Sequence, residues 1–212
     1  MGMIIVDKVV PRTHTRAART QLVLIALLFL APLLAAWVWY ANIDAWRPTQ
    51  LINHGDLISP ARPLPDFSLV ALDGATIDAR FLHGKWTLVY IGSSECDNAC
   101  HVNLDKVSRV RLALGKDMMR VQTLYVLTDT ERVASLRPRL TPYEPVTVAA
   151  LGSHGAPFMQ QFETVVGGSV AAAGRVYMID PLGNLMMSYG TASVARDLLQ
   201  DLERLLKISR VG

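Results

Sequence analysis

Three kinds of hydrophobic pattern divide this chain. The first is a single uncharged block, "QLVLIALLFLAPLLAAWVWYA" from Gln21 to Ala41, about twenty residues long and so able to cross a hydrocarbon core of about 30 Å. Trp37, Trp39 and Tyr40 crowd its far end, where amphipathic rings favour the headgroup region, and Pro32 is compatible with a spanning helix. The second kind is a short continuous apolar run. "WTLVYI" (86–91), "VQTLYVL" (121–127) and "VTVAAL" predict strands buried on both faces.

The third kind is periodic. "FSLVAL", Asp73-Gly74 and "ATIDA" predict a hairpin, and "RVYMID", "PLGN" and "LMMSY" predict another. Leu104, Val107, Val110 (or Arg111) and Leu114 recur at helical spacing. So do Val194, Leu198, Leu202, Leu205 and Leu206, with Ser193 as the expected N-cap. "APFMQQFE" reads as a short helix, and Thr128-Asp129-Thr130 as the cap of a helix starting near Glu131 that Pro138 disturbs or ends.

The order is therefore a hairpin, alternating strands and helices, a second hairpin and a closing helix. Alternation of this kind calls for a three-layer α/β sandwich with parallel central strands. The organisation expected is a basic tail over 1–20, a transmembrane anchor over 21–41, a proline-containing tether over 42–62 and one folded domain over 63–212. In the tether, Pro60, Pro63 and Pro65 bracket the end of an extended, non-helical path.

Charge sets the orientation. Lys8, Arg12, Arg16 and Arg19 precede the apolar block, whereas Asp44 and Arg47 are the nearest charges after it. The positive-inside tendency then puts the amino terminus in the cytoplasm and the domain on the periplasmic or equivalent outer side of the inner membrane. Trp37 and Val38 stand where a cleaved signal would need a small-x-small site, so the block reads as a retained anchor. The net charge of +3 includes the basic tail and gives no case for a nucleic-acid partner.

Candidate chemistry lies in "GSSECDNACHVN", which holds both cysteines of the chain, Cys96 and Cys100. In an oxidising compartment such a pair can persist as a disulfide. One short cross-link does not hold a domain of this size, so the fold must come from an apolar core. With a helix starting near Asp97 or Asn98, the two sulfurs share one face with Cα atoms about 6 Å apart. A helix amino terminus favours thiolate, while Glu95 and Asp97 oppose it. Thiolates serve redox exchange and soft-metal binding equally, and the same pair also suits a structural disulfide. A dithiol at the turn from the first central strand into its helix narrows the fold to a thioredoxin-like sandwich with an N-terminal hairpin, preceded by one transmembrane helix.

"FSLVALDG", "LHGKWTLVYIGSSECDNAC", the strand ending in "LTD" and "VYMIDPLGNL" together resemble the Sco/SenC family of membrane-anchored thioredoxin-like proteins. The resemblance covers about residues 63 to 206 and includes the amino-terminal anchor. It implies work in assembling the dinuclear copper site of cytochrome c oxidase, by delivering copper or by reducing the target's cysteines. It also implies an oxidase subunit or another copper-site assembly factor as partner. The copper-binding and redox sulfurs carry over to Cys96 and Cys100.

The chain departs from that pattern in three places. The family's third copper ligand, a histidine, falls on about Ala172; the prolines that follow the first and second cysteines are Asp97 and His101. Two sulfurs still suit Cu(I), which accepts soft donors at low coordination. His101 and His154 are the candidate third ligands. His101 reads otherwise as a polar helix residue able to pair with Asp97, and His154 as a solvated loop residue after the "VTVAAL" strand. His54 and His83 read as surface residues. The adjacent pairs Met118/Met119 and Met186/Met187 point to opposite faces and read as core fillers.

The expected activity is thiol–disulfide reduction of a partner, Cys96 attacking and Cys100 resolving. The alternatives are a weak two-sulfur Cu(I) carrier and a non-catalytic interaction module with a structural disulfide. "SSEC" lacks the proline–threonine setting of a thiol peroxidase.

Overall fold

The computed structural model describes residues 15–42, 52–143 and 145–209. Most of the expected basic tail and residues 43–51 of the expected tether lie outside the described residues. Helix α1, Thr15–Ala41, runs unbroken through Pro32, and its segment Ala17–Ala41 is long and apolar enough to cross a membrane. The described helix reaches beyond the expected anchor of 21–41, through Ala17, Ala18 and Arg19, which are good helix formers. Its apolar side chains, Leu28, Phe29 and Trp37 among them, stand exposed.

From Ile52 the chain forms a separate unit. Its strands are β1 Asp56–Pro63, β2 Ser68–Ala71, β3 Thr76–Ile77, β4 Trp86–Gly92, β5 Val121–Leu127, β6 Thr147–His154, β7 Val176–Ile179 and β8 Asn184–Tyr189. They make one sheet in the order β1-β8-β7-β4-β5-β6-β2-β3. β4, β5 and β6 are parallel, with Tyr90 opposite Tyr125 and Gly92 opposite Leu127. The remaining pairings are antiparallel, including the two expected hairpins, β2–β3 and β7–β8. Helices α2 Ala79–Leu82, α3 Asn98–Ala113, α4 Val133–Leu140, α5 Ala156–Val166, α6 Val170–Ala173 and α7 Ala195–Ile208 complete the unit.

Strand alternation divides the core. Val89 and Ile91 of β4 face a cluster with Leu124, Phe158 and Phe162. Trp86 and Leu88 face a second, built on Val107 and Val110 of α3 and Leu198, Leu202 and Leu206 of α7. Those helical residues sit three or four positions apart, as one buried stripe requires. Tyr90, next along β4, belongs to a third cluster with Cys96, Cys100, Leu104, Tyr125, Leu136 and Leu140. Helices on both faces of a mixed sheet make the three-layer, thioredoxin-like arrangement expected.

Three local expectations are corrected. The segment expected as a tether becomes strand at Asp56 and pairs with β8; Pro60 and Pro63 are tolerated because β1 is an edge strand. α7 begins after Val194 rather than Ser193: the Asp197 carboxylate accepts from the Val194 N–H at 3.1 Å, while the Ser193 hydroxyl donates to the Gly190 carbonyl. α4 starts at Val133 without a side-chain cap, because Asp129 is engaged elsewhere. Pro138 sits inside α4, which passes into a 3₁₀ turn over Thr141–Tyr143.

Candidate redox site

β4 ends at Gly92, and the chain turns through Ser93–Asp97 into α3. The Asp97 carboxylate caps α3, accepting the Cys100 N–H at 2.9 Å. Cys96 thus lies just outside the helix and Cys100 in its first turn. Their sulfurs are joined as a disulfide, with Cα atoms 5.0 Å apart. Cys96 has φ of +46°, a left-handed backbone that costs a non-glycine residue about 1–2 kcal/mol. Such a conformation persists only where its surroundings hold it.

Asp129, directly beyond β5, does the holding. Its carboxylate accepts the Ser94 N–H at 3.2 Å and the Ser94 hydroxyl, and that hydroxyl oxygen accepts the Arg132 N–H at 3.0 Å. The hydrogen bond from Ser94 leads in keeping the Asp129 carboxyl below its ordinary range. The loop is closed further by the Glu95 N–H on the Ser93 hydroxyl and the Cys96 N–H on the Ser93 carbonyl. Glu95 does not leave a bare charge beside the sulfurs, since Arg132 pairs with its carboxylate at 2.8 Å and Arg139 donates to its carbonyl at 2.8 Å.

Under the disulfide lies Tyr125, fully buried. Its hydroxyl donates to the Ser93 carbonyl at 2.6 Å and lies 3.4 Å from the Cys100 sulfur. Burial, with the charges of Asp129 and Asp97 added, raises the Tyr125 phenol well above its ordinary range. Burial likewise pushes Tyr90 up to about 12, with Asp97 adding to it. Both phenols stay protonated at neutral pH.

Two cavities open beside the pair. The smaller, about 230 Å³, is lined by Cys96, Cys100 and Tyr90, with Ala171, Ala172 and Thr191 across from them. The larger, about 610 Å³, is lined by Cys96 but not Cys100, with Asn98, His101, Arg132 and Arg139. Asn103, buried in α3, fixes the far wall of the smaller cavity by donating to the Gly174 carbonyl at 3.0 Å. Gly174 has φ of +54°, the conformation glycine takes at a helix end.

The structure brings only some of the predicted site residues together. Cys96 and Cys100 are joined, and Ala172 does face them, but it brings no donor side chain. His101 pairs through Nδ1 with the Tyr143 hydroxyl at 3.1 Å rather than with Asp97, whose carboxylate is the helix cap. His154 is the last residue of β6, opposite Ser68, and so belongs to a strand rather than a loop. His83 is an exposed surface residue. His54 is not merely a surface residue: its N–H and ring bind the buried carboxylate of Asp201 on α7.

Among the described residues no group of three histidine, cysteine or acidic side chains is arranged to hold a metal ion. The soft donors that the site itself presents are the sulfurs of Cys96 and Cys100, and those only after reduction, since a disulfide has no thiolate to give. Tyr125, Ser94 and Asn103 had no local motif to announce them, and the local signal at Asp129 pointed to a helix cap rather than to Ser94. The one available signal was parallel register, which sets the residues after β5 beside those after β4.

A family described as "Transmembrane-like, thioredoxin-like, C-terminal domain" matches residues 86–209, more than half of the chain. The mitochondrial SCO2 homolog of Danio rerio is 30% identical over 139 residues, 64% of this chain and 49% of that protein. The chain thus spans about half the length of that relative. Yeast Sco1 with copper bound shares the fold at a TM-score of 0.58 and 21% identity, over 69% of this chain and 94% of that one. BsSco, a member of the Sco family of cytochrome c oxidase assembly proteins in which a disulfide switch was identified, gives 0.56 and 13% over 73% and 99%. With a cysteine pair at the mouth of the same fold and an apolar amino-terminal helix, the chain belongs to the Sco/SenC family of thioredoxin-like proteins.

Proposed function

We propose that this protein serves cytochrome c oxidase copper-site assembly as a membrane-anchored thiol–disulfide reductase of a partner. The observation that carries the reading is the site itself. A cysteine pair able to close a disulfide stands at a helix entrance, and the opposite wall, Ala171 and Ala172, adds no metal donor. The partner is an oxidase subunit or another copper-site assembly factor. The anchor α1 ties the domain to the membrane, and the basic residues before it, against few charges after it, favour the periplasmic or equivalent outer face for the domain.

The exchange balances as follows. The Cys96 thiolate attacks one sulfur of the partner's disulfide, and the partner's other sulfur leaves as thiolate. The Cys100 thiolate then attacks the Cys96 sulfur, closing the disulfide here and releasing the partner's second thiolate. Two electrons pass to the partner. A thiol-class reductant restores the dithiol by the reverse chemistry.

In a Cys100→Ser variant the first step cannot be resolved, so a mixed disulfide through Cys96 should accumulate and be recovered from membranes with a copper-site protein. Absence of that adduct, together with a pair that resists strong thiol reductants, would sink the reductase reading. Titrating the reduced protein with Cu(I) under a competing chelator tests the cargo role. Binding no tighter than in a Cys96→Ser/Cys100→Ser variant excludes a two-sulfur carrier.

A further inference from the structure

We propose that Tyr125 is a catalytic residue of the exchange: its hydroxyl is the donor that turns to the Cys100 sulfur whenever that sulfur carries the negative charge. The inference deepens the reductase reading and rests on it for the direction of attack. A phenol has one proton to donate, and the Tyr125 hydroxyl has two acceptors in reach, the Ser93 carbonyl at 2.6 Å and the Cys100 sulfur at 3.4 Å. A disulfide sulfur is a weak acceptor, so with the pair oxidised the proton belongs on the carbonyl. A thiolate is an anionic acceptor and takes hydrogen bonds about twice as strong as neutral ones. When the disulfide opens, the proton swings from Ser93 to Cys100.

The surroundings leave that role to Tyr125. The Cys100 N–H is committed to the Asp97 carboxylate. Cys100 is 2% exposed and shares its cluster with Leu104, Leu127, Leu136 and Leu140, which donate nothing. The titratable and charged groups about the pair are Tyr90 on β4 (beside Asn103), Glu95 and Asp97 in the loop and cap, Asp129 after β5, and His101, Arg132 and Arg139 around the larger cavity, which Cys96 lines and Cys100 does not. The acids repel a thiolate, and the two arginines are engaged with Glu95. Cys96 and Cys100 are equally buried, at 2% exposed each, but Cys96 lines both cavities and Cys100 only the smaller, which favours Cys96 as the sulfur a partner meets. In regeneration an incoming thiolate attacks the Cys96 sulfur, the S–S bond breaks, and Cys100 leaves with the electron pair into the Tyr125 hydrogen bond. In the forward direction the same bond holds Cys100 as thiolate until it attacks.

The test uses the full chain in detergent. In a Cys96→Ser background, thiolate absorbance near 240 nm reads the ionisation of Cys100 against pH. Tyr125→Phe should cut the Cys100 thiolate fraction at neutral pH about tenfold, the size of one charge-assisted hydrogen bond. In the intact pair the same change should slow reduction by dithiothreitol about tenfold and move the equilibrium with glutathione toward disulfide. Site-specific 3-fluorotyrosine at position 125, a stronger donor of the same shape, should shift both readouts the other way, and stands alone should Tyr125→Phe fail to fold. Unchanged ionisation and exchange with either replacement would overturn the proposal and leave Tyr125 a structural ligand of Ser93. Because the Cys100 titration needs no partner, it still reports on Tyr125 where no mixed disulfide through Cys96 forms.

Discussion

At the scale of single residues, the geometry of the pair depends on Asp129 as much as on the cysteines. The left-handed Cys96 is held by a loop whose first anchor is the Ser94–Asp129 contact. Asp129→Ala removes a carboxylate that takes two hydrogen bonds, a change worth about 1–3 kcal/mol in stability, and frees the loop to relax Cys96. The expected result in chemical denaturation is a loss of that size, with reduction of the disulfide altered in rate although neither sulfur is touched. An Asp129→Ala protein that matches wild type in both would show that the loop holds itself. The sign with pH follows from the lowered carboxyl. Its contribution is complete above the unfolded value of about 3.9 and is lost as pH falls through the lower folded value. Asp129 could be read in the sequence only as a helix cap, because Thr-Asp-Thr before a helical stretch is a local signal and its actual partner lies 35 positions away. The cysteines, by contrast, were legible because strand, turn and helix follow one another without a gap.

At the scale of elements, the strongest departure from the sequence reading is the clasp that holds the start of the domain. β1 carries little apolar alternation, and most of its residues are exposed, so nothing in its pattern marks a strand. Its position is fixed from outside. Asp201 on α7, 3% exposed, accepts the His54 N–H at 2.8 Å, the Gly55 N–H at 3.0 Å and the Tyr189 hydroxyl at 3.1 Å. Gly55 is required there, since a Cβ would stand 2.6 Å from the Tyr189 ring. Burial alone would raise the Asp201 carboxyl, but the hydrogen bonds from Gly55, His54 and Tyr189 outweigh it and hold it below its ordinary range. Asp201→Asn keeps the shape and removes the charge, and should cost about 2–4 kcal/mol. The wild-type advantage should be constant above about pH 4 and fade as pH falls through the lower folded value. Unfolding curves of the two proteins at neutral and acid pH check this; equal stability at neutral pH would refute the clasp. α3 and α7, whose apolar stripes are strictly periodic, needed no such outside information.

At the scale of the whole molecule, the question is what the disulfide contributes to a fold it does not build. Of the three apolar clusters only the one at the mouth contains Cys96 and Cys100; the two larger ones lie along both faces of the sheet without them. α3 is gripped below its first turn by Val107 and Val110, so opening the disulfide releases the helix entrance and not the helix. Closing a loop of so few residues removes little freedom from the unfolded chain, about 2 kcal/mol on the loop-entropy relation. The Cys96→Ser/Cys100→Ser protein should therefore unfold cooperatively with about that loss, and chemically reduced wild type should match it. Far-UV circular dichroism should be the same for all three forms, while hydrogen exchange should quicken over Ser93–Cys100 alone. A double variant that fails to fold would make the bond a structural strut and remove the basis for redox work. A protein that must pass repeatedly between disulfide and dithiol needs this separation: the sheet and its two large cores carry the stability, and the third cluster holds the sulfurs where a change of redox state costs the fold little.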